Sequence, residues 1–438
     1  MASEWRETTV GDFAPFAYGK GLPEGQRNAN GNVPVYGSNG VVGYHDLPLT
    51  DGPTVVIGRK GTVGAVHYSP VACWPIDTTF FITGSDPLLV RYRYFVLKSL
   101  GLEHMNADSA VPGLNRDAAH ARRVLIPQNK TEQRAIAHIL GTLDDKIELN
   151  RRMSATLEQM ARALFKAWFV DFEPVRVKMK RQGADTQRQD AKTPGRQENT
   201  STFASLRPGV FAFPPHILDL FPARLVDSEL GEIPEGWEVG TIKDCCIQIR
   251  NGGTPSRKEP RFWEGGMIPW LTSAEVRQPI ITTTENFITE VGLEASSAKW
   301  VPPLSTAVAL YGATAGQVSL VSLRLTTSQA VCALLPKQYF EFFNYLWMRS
   351  ATMDLQNKAV GSAQQNISQE VVASTHTLIP PKALLENFDE MVKPLFGKWI
   401  YNLHESRTLA ALRDTLLPKL ISGALRVKDA EKFIGRVV

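Results

Sequence analysis

One apolar stripe occurs twice in this chain, 252 residues apart, and it limits the possible folds more than any other feature. From Lys130 to Phe172, the residues Ile136, Ile139, Leu143, Met153, Leu157, Met160, Leu164 and Ala167 fill the a and d sites of one heptad frame, with Lys146 and Asn150 as polar exceptions. Such a stripe is a coiled-coil seam. It contains no proline and one glycine, Gly141, so at about 1.5 Å per residue it makes a rod of roughly 65 Å. Phe388, Met391, Leu395, Lys398, Asn402, Leu409, Leu412 and Leu416 stand where Ile136, Ile139, Leu143, Lys146, Asn150, Leu157, Met160 and Leu164 stood. Glu405, in the phase of Met153, departs.

A buried Asn or Lys costs stability and fixes register, so its duplication in phase makes the two helices partners. A parallel in-register pair would oppose Lys146 and Lys398. An antiparallel pair crossing near Glu148 and Ile400 sets Lys146 beside Asn402 and Asn150 beside Lys398, where each ammonium donates to an amide oxygen. The antiparallel pair is therefore expected, with Leu143 facing Glu405. Pro418 should end or kink the second rod about one turn before the first.

The stretches before the two rods also repeat. Trp237, Thr241, Ile242 and Asp244 echo Trp5, Thr9, Val10 and Asp12, and the LIP at 378–380 echoes that at 125–127. In the first copy, short apolar runs such as Thr54 to Ile57 and Ala65 to Tyr68, broken by glycines, predict strands, while Arg91 to Leu102 has helical spacing. The expected fold is α+β. Mixed α/β domains occupy 1–128 and 230–379, and long antiparallel helices occupy 129–173 and 380–423, giving a pseudo-twofold internal repeat. A linker covers 174–229 and a tail 424–438. Glu173 to about Phe203 is polar and reads as flexible, while the proline- and aromatic-rich Pro208 to Arg224 is suited to docking on a neighbouring surface.

With 438 residues, 43% of them hydrophobic, the chain can bury cores in two or three domains. No apolar run reaches the roughly 18 residues of a membrane span, and MASEWRETTV does not read as a signal peptide. Cys73, Cys245, Cys246 and Cys332 lack zinc-ligand or redox spacing and read as reduced core residues. The net charge of +4 is concentrated between Arg176 and Arg207, where eight basic residues meet three acidic ones. Any nucleic-acid binding by the domains must then use local patches.

Enzymatic motifs are missing: there is no GxxxxGK[ST] loop, no Asp-Pro-Pro-Tyr type methyltransferase element and no paired-carboxylate-plus-Lys nuclease pattern. No pair of histidines has metal-ligand spacing. Glycine-rich polar loops are better candidates, because basic side chains beside glycine reach guanine edges or phosphates while the backbone approaches closely. Ser38 and Asn39 follow Val33 to Tyr36; Arg59, Lys60 and Thr62 follow Thr54 to Ile57. The corresponding place in the second domain reads Tyr311, Gly312, Ala313 and Thr314. The amides Gln364, Gln365 and Asn366, and Asn115 with Arg116, suit adenine or serve as loop caps. Arg250, Asn251, Thr254 and Arg257 form a further loop, with Thr272 and Ser273 close behind.

These features resemble the specificity subunits of type I restriction-modification systems along essentially the whole chain. The resemblance rests on the duplicated domain-and-helix order and on LGEIPEGWEV at 230–239, GGTPSR at 252–257, IPWLTS at 268–273, YGATAGQV at 311–318, EQRAIAHILGTLDDKIELNRR at 132–152 and LLPKLISGALRV at 416–427. It implies that each domain recognises half of a split double-stranded DNA target, while the helices set the unread spacer and dock two methyltransferase subunits. Those partners bind S-adenosylmethionine, restriction and translocase subunits complete the complex, and this chain carries no cofactor or metal in a prokaryotic cytoplasm. A self-sufficient DNA methyltransferase or nuclease is the alternative, and a protein-binding scaffold without DNA is a third reading.

Overall fold

A computed structural model describes residues 5–105, 113–190, 213–360 and 366–434. The chain forms two compact units, Met1–Asn150 with Glu405–Val438, and Arg151–His404. Each takes one globular domain and part of both long helices.

In the first unit, Thr54–Gly58 is buried along its whole length, so its sequence is continuously apolar rather than alternating. It lies inside an antiparallel sheet ordered Ala17–Tyr18, Thr79–Thr83, Thr54–Gly58, Val66–Ser69. A second sheet orders Gly40–His45, Val33–Gly37 and Trp74–Pro75. The helix expected from Arg91 to Leu102 spans Pro87–Lys98 instead. Its start is set by Asp86, which accepts the Leu88 and Leu89 N–H groups at 3.0 and 3.2 Å, and by Pro87, which fits the first helical turn.

The second unit repeats the frame. Its five-stranded sheet runs Cys246–Asn251, Val331–Pro336, Thr306–Ala309, Val318–Val321, Ile280–Ile281, with Asn286–Ile288, Ile268–Leu271, Leu325–Thr327 and Trp300–Val301 in a four-stranded companion. In both units an early strand pairs antiparallel with the strand that leads into the long helix: Trp5–Thr9 with Arg123–Pro127, and, after the hairpin Leu225–Ser228 and Gly231–Pro234, Glu238–Thr241 with His376–Ile379. The echo at Thr9 and Thr241 is a local cap. Thr9 Oγ1 donates to Asp12 at 2.6 Å, and Asp244 accepts both the hydroxyl and the N–H of Thr241 at 2.8 Å.

The long helices are Lys130–Phe169 and Lys382–Ile421, each of 40 residues. The second runs through Pro418 and ends in phase with the first, against expectation; a proline in a last turn deletes one hydrogen bond where the helix is already ending. Within the first unit the helices are antiparallel. Arg413 binds Asp144 at 2.7 Å, and Lys146 and Asn150 both reach Glu405, at 3.3 and 2.6 Å. Asn150 therefore lies opposite Glu405 rather than Lys398, a displacement of seven residues, and Lys146 meets Glu405 rather than Asn402. An apolar heptad stripe tolerates such a slip, and a carboxylate is a stronger partner for an ammonium than an amide is. Leu143, expected opposite Glu405, lies in an apolar cluster with Leu409, Leu412 and Leu416. In the second unit Phe165, Trp168 and Phe169 pack on Phe388 with ring centroids 6.2, 5.7 and 4.9 Å apart. Lys398 lies over the Tyr401 ring at 4.5 Å.

The buried stripe drifts. Ser154, Ala161, Phe165 and Trp168 are buried, whereas Met160 and Met391, assigned to the seam, are 51% and 42% exposed. A helix of 3.6 residues per turn moves off a 3.5-residue repeat by about 20° per heptad.

The segment expected to be a linker holds regular structure at both ends, while 191–212 lie outside the described residues. Glu173–Asp190 is a helix with Pro174 in its first turn and Val175 buried. Ile217 and Phe221, around the short helix Pro215–Asp219, are buried in the second unit's core, with Phe221 edge-on to Trp168 at 5.2 Å. All four cysteines are buried free thiols, and burial pushes Cys246 and Cys332 up to about 12. No described helix is long and apolar enough to cross a membrane.

Candidate nucleic-acid interface

The polar loops singled out in the first domain converge at one end of the Thr54–Gly58 sheet. The Arg59 and Lys60 N–H groups both donate to Thr78 O, at 2.9 and 3.1 Å, and the Leu114 N–H donates to Arg59 O at 2.9 Å. Lys60 forms a bridge with Gly113. The Ser38 hydroxyl donates to the same Thr78 carbonyl at 2.7 Å, which fastens the Ser38–Asn39 turn to the Arg59 loop. Ser38 is buried at 7% exposure, so its hydroxyl braces the loop, whereas Asn39, Lys60 and Thr62 are exposed. Asn115 caps the helix Arg116–His120 by accepting the Ala118 N–H at 3.0 Å.

At the same end stands Tyr18, 52% exposed, with the Arg59 and Arg116 guanidinium carbons 5.4 and 5.1 Å from its ring centroid. An exposed aromatic ring flanked by two cations suits a polyanion, since the ring face holds both guanidinium groups near one another. Behind the patch, His120 Nε2 accepts the Phe16 N–H at 3.0 Å, so this ring nitrogen carries no proton. Burial and then the Arg116 charge hold the His120 imidazole below its ordinary pKa.

The second domain builds the same loop with different side chains. The Leu310 N–H donates to Ala330 O at 2.8 Å and the Ile367 N–H to Leu310 O at 2.9 Å. Tyr311 bridges Asn366 as Lys60 bridges Gly113. Gly312 has φ +74° where Gly61 has +78°, a conformation that excludes most side chains. Ser368 caps the helix Gln369–Ala373 in the place of Asn115. Thr314, 4% exposed, is part of the loop's inner wall.

The remaining candidates gather at this end. Asn251 and Val308 flank Cys332 on the central strand, so the Arg250–Asn251 strand end and the Tyr311 loop leave the sheet together. The Gly253 N–H donates to Thr327 O at 2.9 Å, and Trp270 Nε1 to Gly253 O at 2.9 Å. The GGTPSR and IPWLTS motifs thus pack on each other. Thr254 donates to Gln329, and Arg257 lies 3.5 Å from the Trp263 ring centroid and 5.2 Å from that of Trp270. Thr272 caps the turn Ser273–Glu275 through Glu275, and that turn packs on Gly312–Thr314. Arg250 turns inward, donating to Trp300 O. Gln364 and Gln365 lie outside the described residues.

Two residues escaped the sequence reading. A Cβ at Gly19 would sit 2.0 Å from Ile76 O and one at Gly252 1.8 Å from Thr327 O, so these glycines are structural equivalents and Tyr18 is the counterpart of Asn251. Carrying the repeat through Gly252 would have found it. Gln369, which follows Ser368 as Arg116 follows Asn115, donates to Ile249 O at 3.2 Å. Among the described residues no group of three or more potential metal ligands assembles.

Residues 2–159 and 234–384 both match the family described as the type I restriction modification DNA specificity domain. The chain is 31% identical to the type I restriction enzyme HindI specificity subunit of Haemophilus influenzae, over 80% of this chain and 81% of that protein. It is 24% identical to the type I restriction enzyme MjaIX specificity subunit of Methanocaldococcus jannaschii, over 86% and 78%. Its fold is similar to the crystal structure of the type I restriction-modification system S subunit from M. genitalium, with a TM-score of 0.60 at 14% identity, covering 96% of each chain.

Proposed function

This chain belongs to the type I restriction-modification DNA specificity family, and on that premise we propose that its two domains each read one half of a split double-stranded DNA sequence. The reading is carried by one observation: a single loop frame, closed by the same backbone bonds, presents Arg59 and Lys60 in one domain and Leu310 and Tyr311 in the other. A shared scaffold with changed side chains is what two readers of different bases require. The long helices set the unread spacer and dock two methyltransferase subunits, which bring S-adenosylmethionine; restriction and translocase subunits join them in a prokaryotic cytoplasm. This chain supplies recognition rather than catalysis.

Replacing residues 1–128 with another recognition domain of the family, then mapping methylated sites in cells carrying the complete system, tests the assignment. One half-site changes while the other half and the spacer stay. A change in both halves, or methyl transfer by the purified chain alone with S-adenosylmethionine and magnesium, overturns it.

A further inference from the structure

The loop that recurs in both domains has one position packed on the domain's own side chains and one that stands free of them. Leu310 is 1% exposed and Arg59 is held against Tyr18 and Phe80, with its guanidinium carbon 5.4 and 5.9 Å from their centroids. The next residue differs in both domains: Lys60 is exposed and Tyr311 is 41% exposed. Both backbones are pinned at this residue, by the bridges to Gly113 and Asn366, and both are followed by a glycine of positive φ. The side chain at this position is therefore the one that the frame offers outward from a fixed origin.

Resting on the DNA-reading assignment above, we infer that Lys60 and Tyr311 are equivalent specificity-determining residues that read different base pairs at the same place in their two half-sites. An ammonium only donates, so Lys60 selects an acceptor edge, the O6 and N7 of guanine. Tyr311 offers a ring to the thymine methyl and a hydroxyl that both donates and accepts, and selects an A·T pair. Arg59 and Arg116, held on Tyr18, are the neighbouring phosphate contacts.

The test uses the full complex with its methyltransferase subunits, reading methylated sites by sequencing and DNA affinity against salt. Lys60→Ala relaxes one guanine position in one half-site, with discrimination there falling about tenfold, while the other half-site and the slope of log affinity against log salt stay as in the parent. Lys60→Arg keeps the guanine. Tyr311→Lys installs guanine at the matching position of the other half-site. Uniform weakening at all sequences with a salt slope lower by about one marks Lys60 as a phosphate contact and overturns the inference, as does an unchanged site for both Lys60→Ala and Tyr311→Lys. If the parent complex itself selects no split sequence, the DNA-reading assignment fails, and this inference with it.

Discussion

Asn402 is 0% exposed, and neither its Nδ2 nor its Oδ1 has a hydrogen-bond partner among the described residues. A buried polar group without a partner costs about 1–3 kcal/mol, so Asn402→Leu is expected to raise the melting temperature by a few degrees in calorimetry; a lower value would show that the amide is not idle in the folded chain. His120 gives a pH prediction. Its folded pKa lies below its ordinary value, so below about pH 6.5 the unfolded chain binds more protons than the folded one. Stability is full above that pH and is lost as pH falls through the folded value. Thermal melts of the first unit should fall between pH 7 and 5, and His120→Gln should flatten that dependence. Legibility at this scale was uneven. Asn251 stands out as a candidate because it adjoins the Gly-Gly-Thr-Pro motif, whereas its structural counterpart Tyr18 sits in Ala-Tyr-Gly, which has no motif. Ser38 and Thr314 are candidates as members of polar glycine-rich loops, yet the fold buries both, a matter of burial that loop composition does not encode.

At the scale of the element, Glu405 is the residue that the repeat left unexplained, and it is where Lys146 and Asn150 meet. Glu405→Met, which restores the repeat, removes a charged acceptor from Asn150, itself 1% exposed. A loss of about 1–3 kcal/mol is expected, with little of it from Lys146, whose side chain is 43% exposed. Adding Asn150→Leu should return most of the loss. A double-mutant cycle by chemical denaturation measures this, and additive effects would show the contact to be idle. Helix existence and antiparallel sense were legible because the apolar stripe and the like charges both act on them. Register was not, since every heptad shift buries a similar stripe and one polar contact decides among them. Gly141 shows a further kind of information. Arg91 donates to its carbonyl at 3.0 Å and grips Asp145 at 2.7 and 2.8 Å, and a Cβ there would come within 2.8 Å of the guanidinium. The helix's single glycine makes room for a side chain 50 residues away in sequence.

At the scale of the whole molecule, the first unit is discontinuous. Leu409, Leu416, Leu417 and Leu420, together with Ala430, complete an apolar core that begins at Val10, and Arg426 binds Glu132 at 3.1 Å. A Cβ on Gly423 would come within 2.8 Å of the Trp5 ring, so the tail packs against the opening strand. Removing residues 405–438 leaves every candidate loop of the first domain in the chain yet strips this core. Limited proteolysis should then cut the first unit and spare the second, and survival of both would contradict the division. The duplicated order of domains and helices was legible from the repeat. The pairing of the chain's tail with its opening domain was not, because the expected division treated the helices as separate segments.

That discontinuity also fixes an order of assembly at the ribosome. The 151–404 unit is continuous and can close as soon as it emerges, although its synthesis starts second. The domain made first must wait for leucines translated some 255 residues later, a delay of roughly 10–50 s at 5–20 residues per second. During that interval its unfinished apolar surface is open to chaperones or to neighbouring nascent chains, so this recognition half is begun first and finished last.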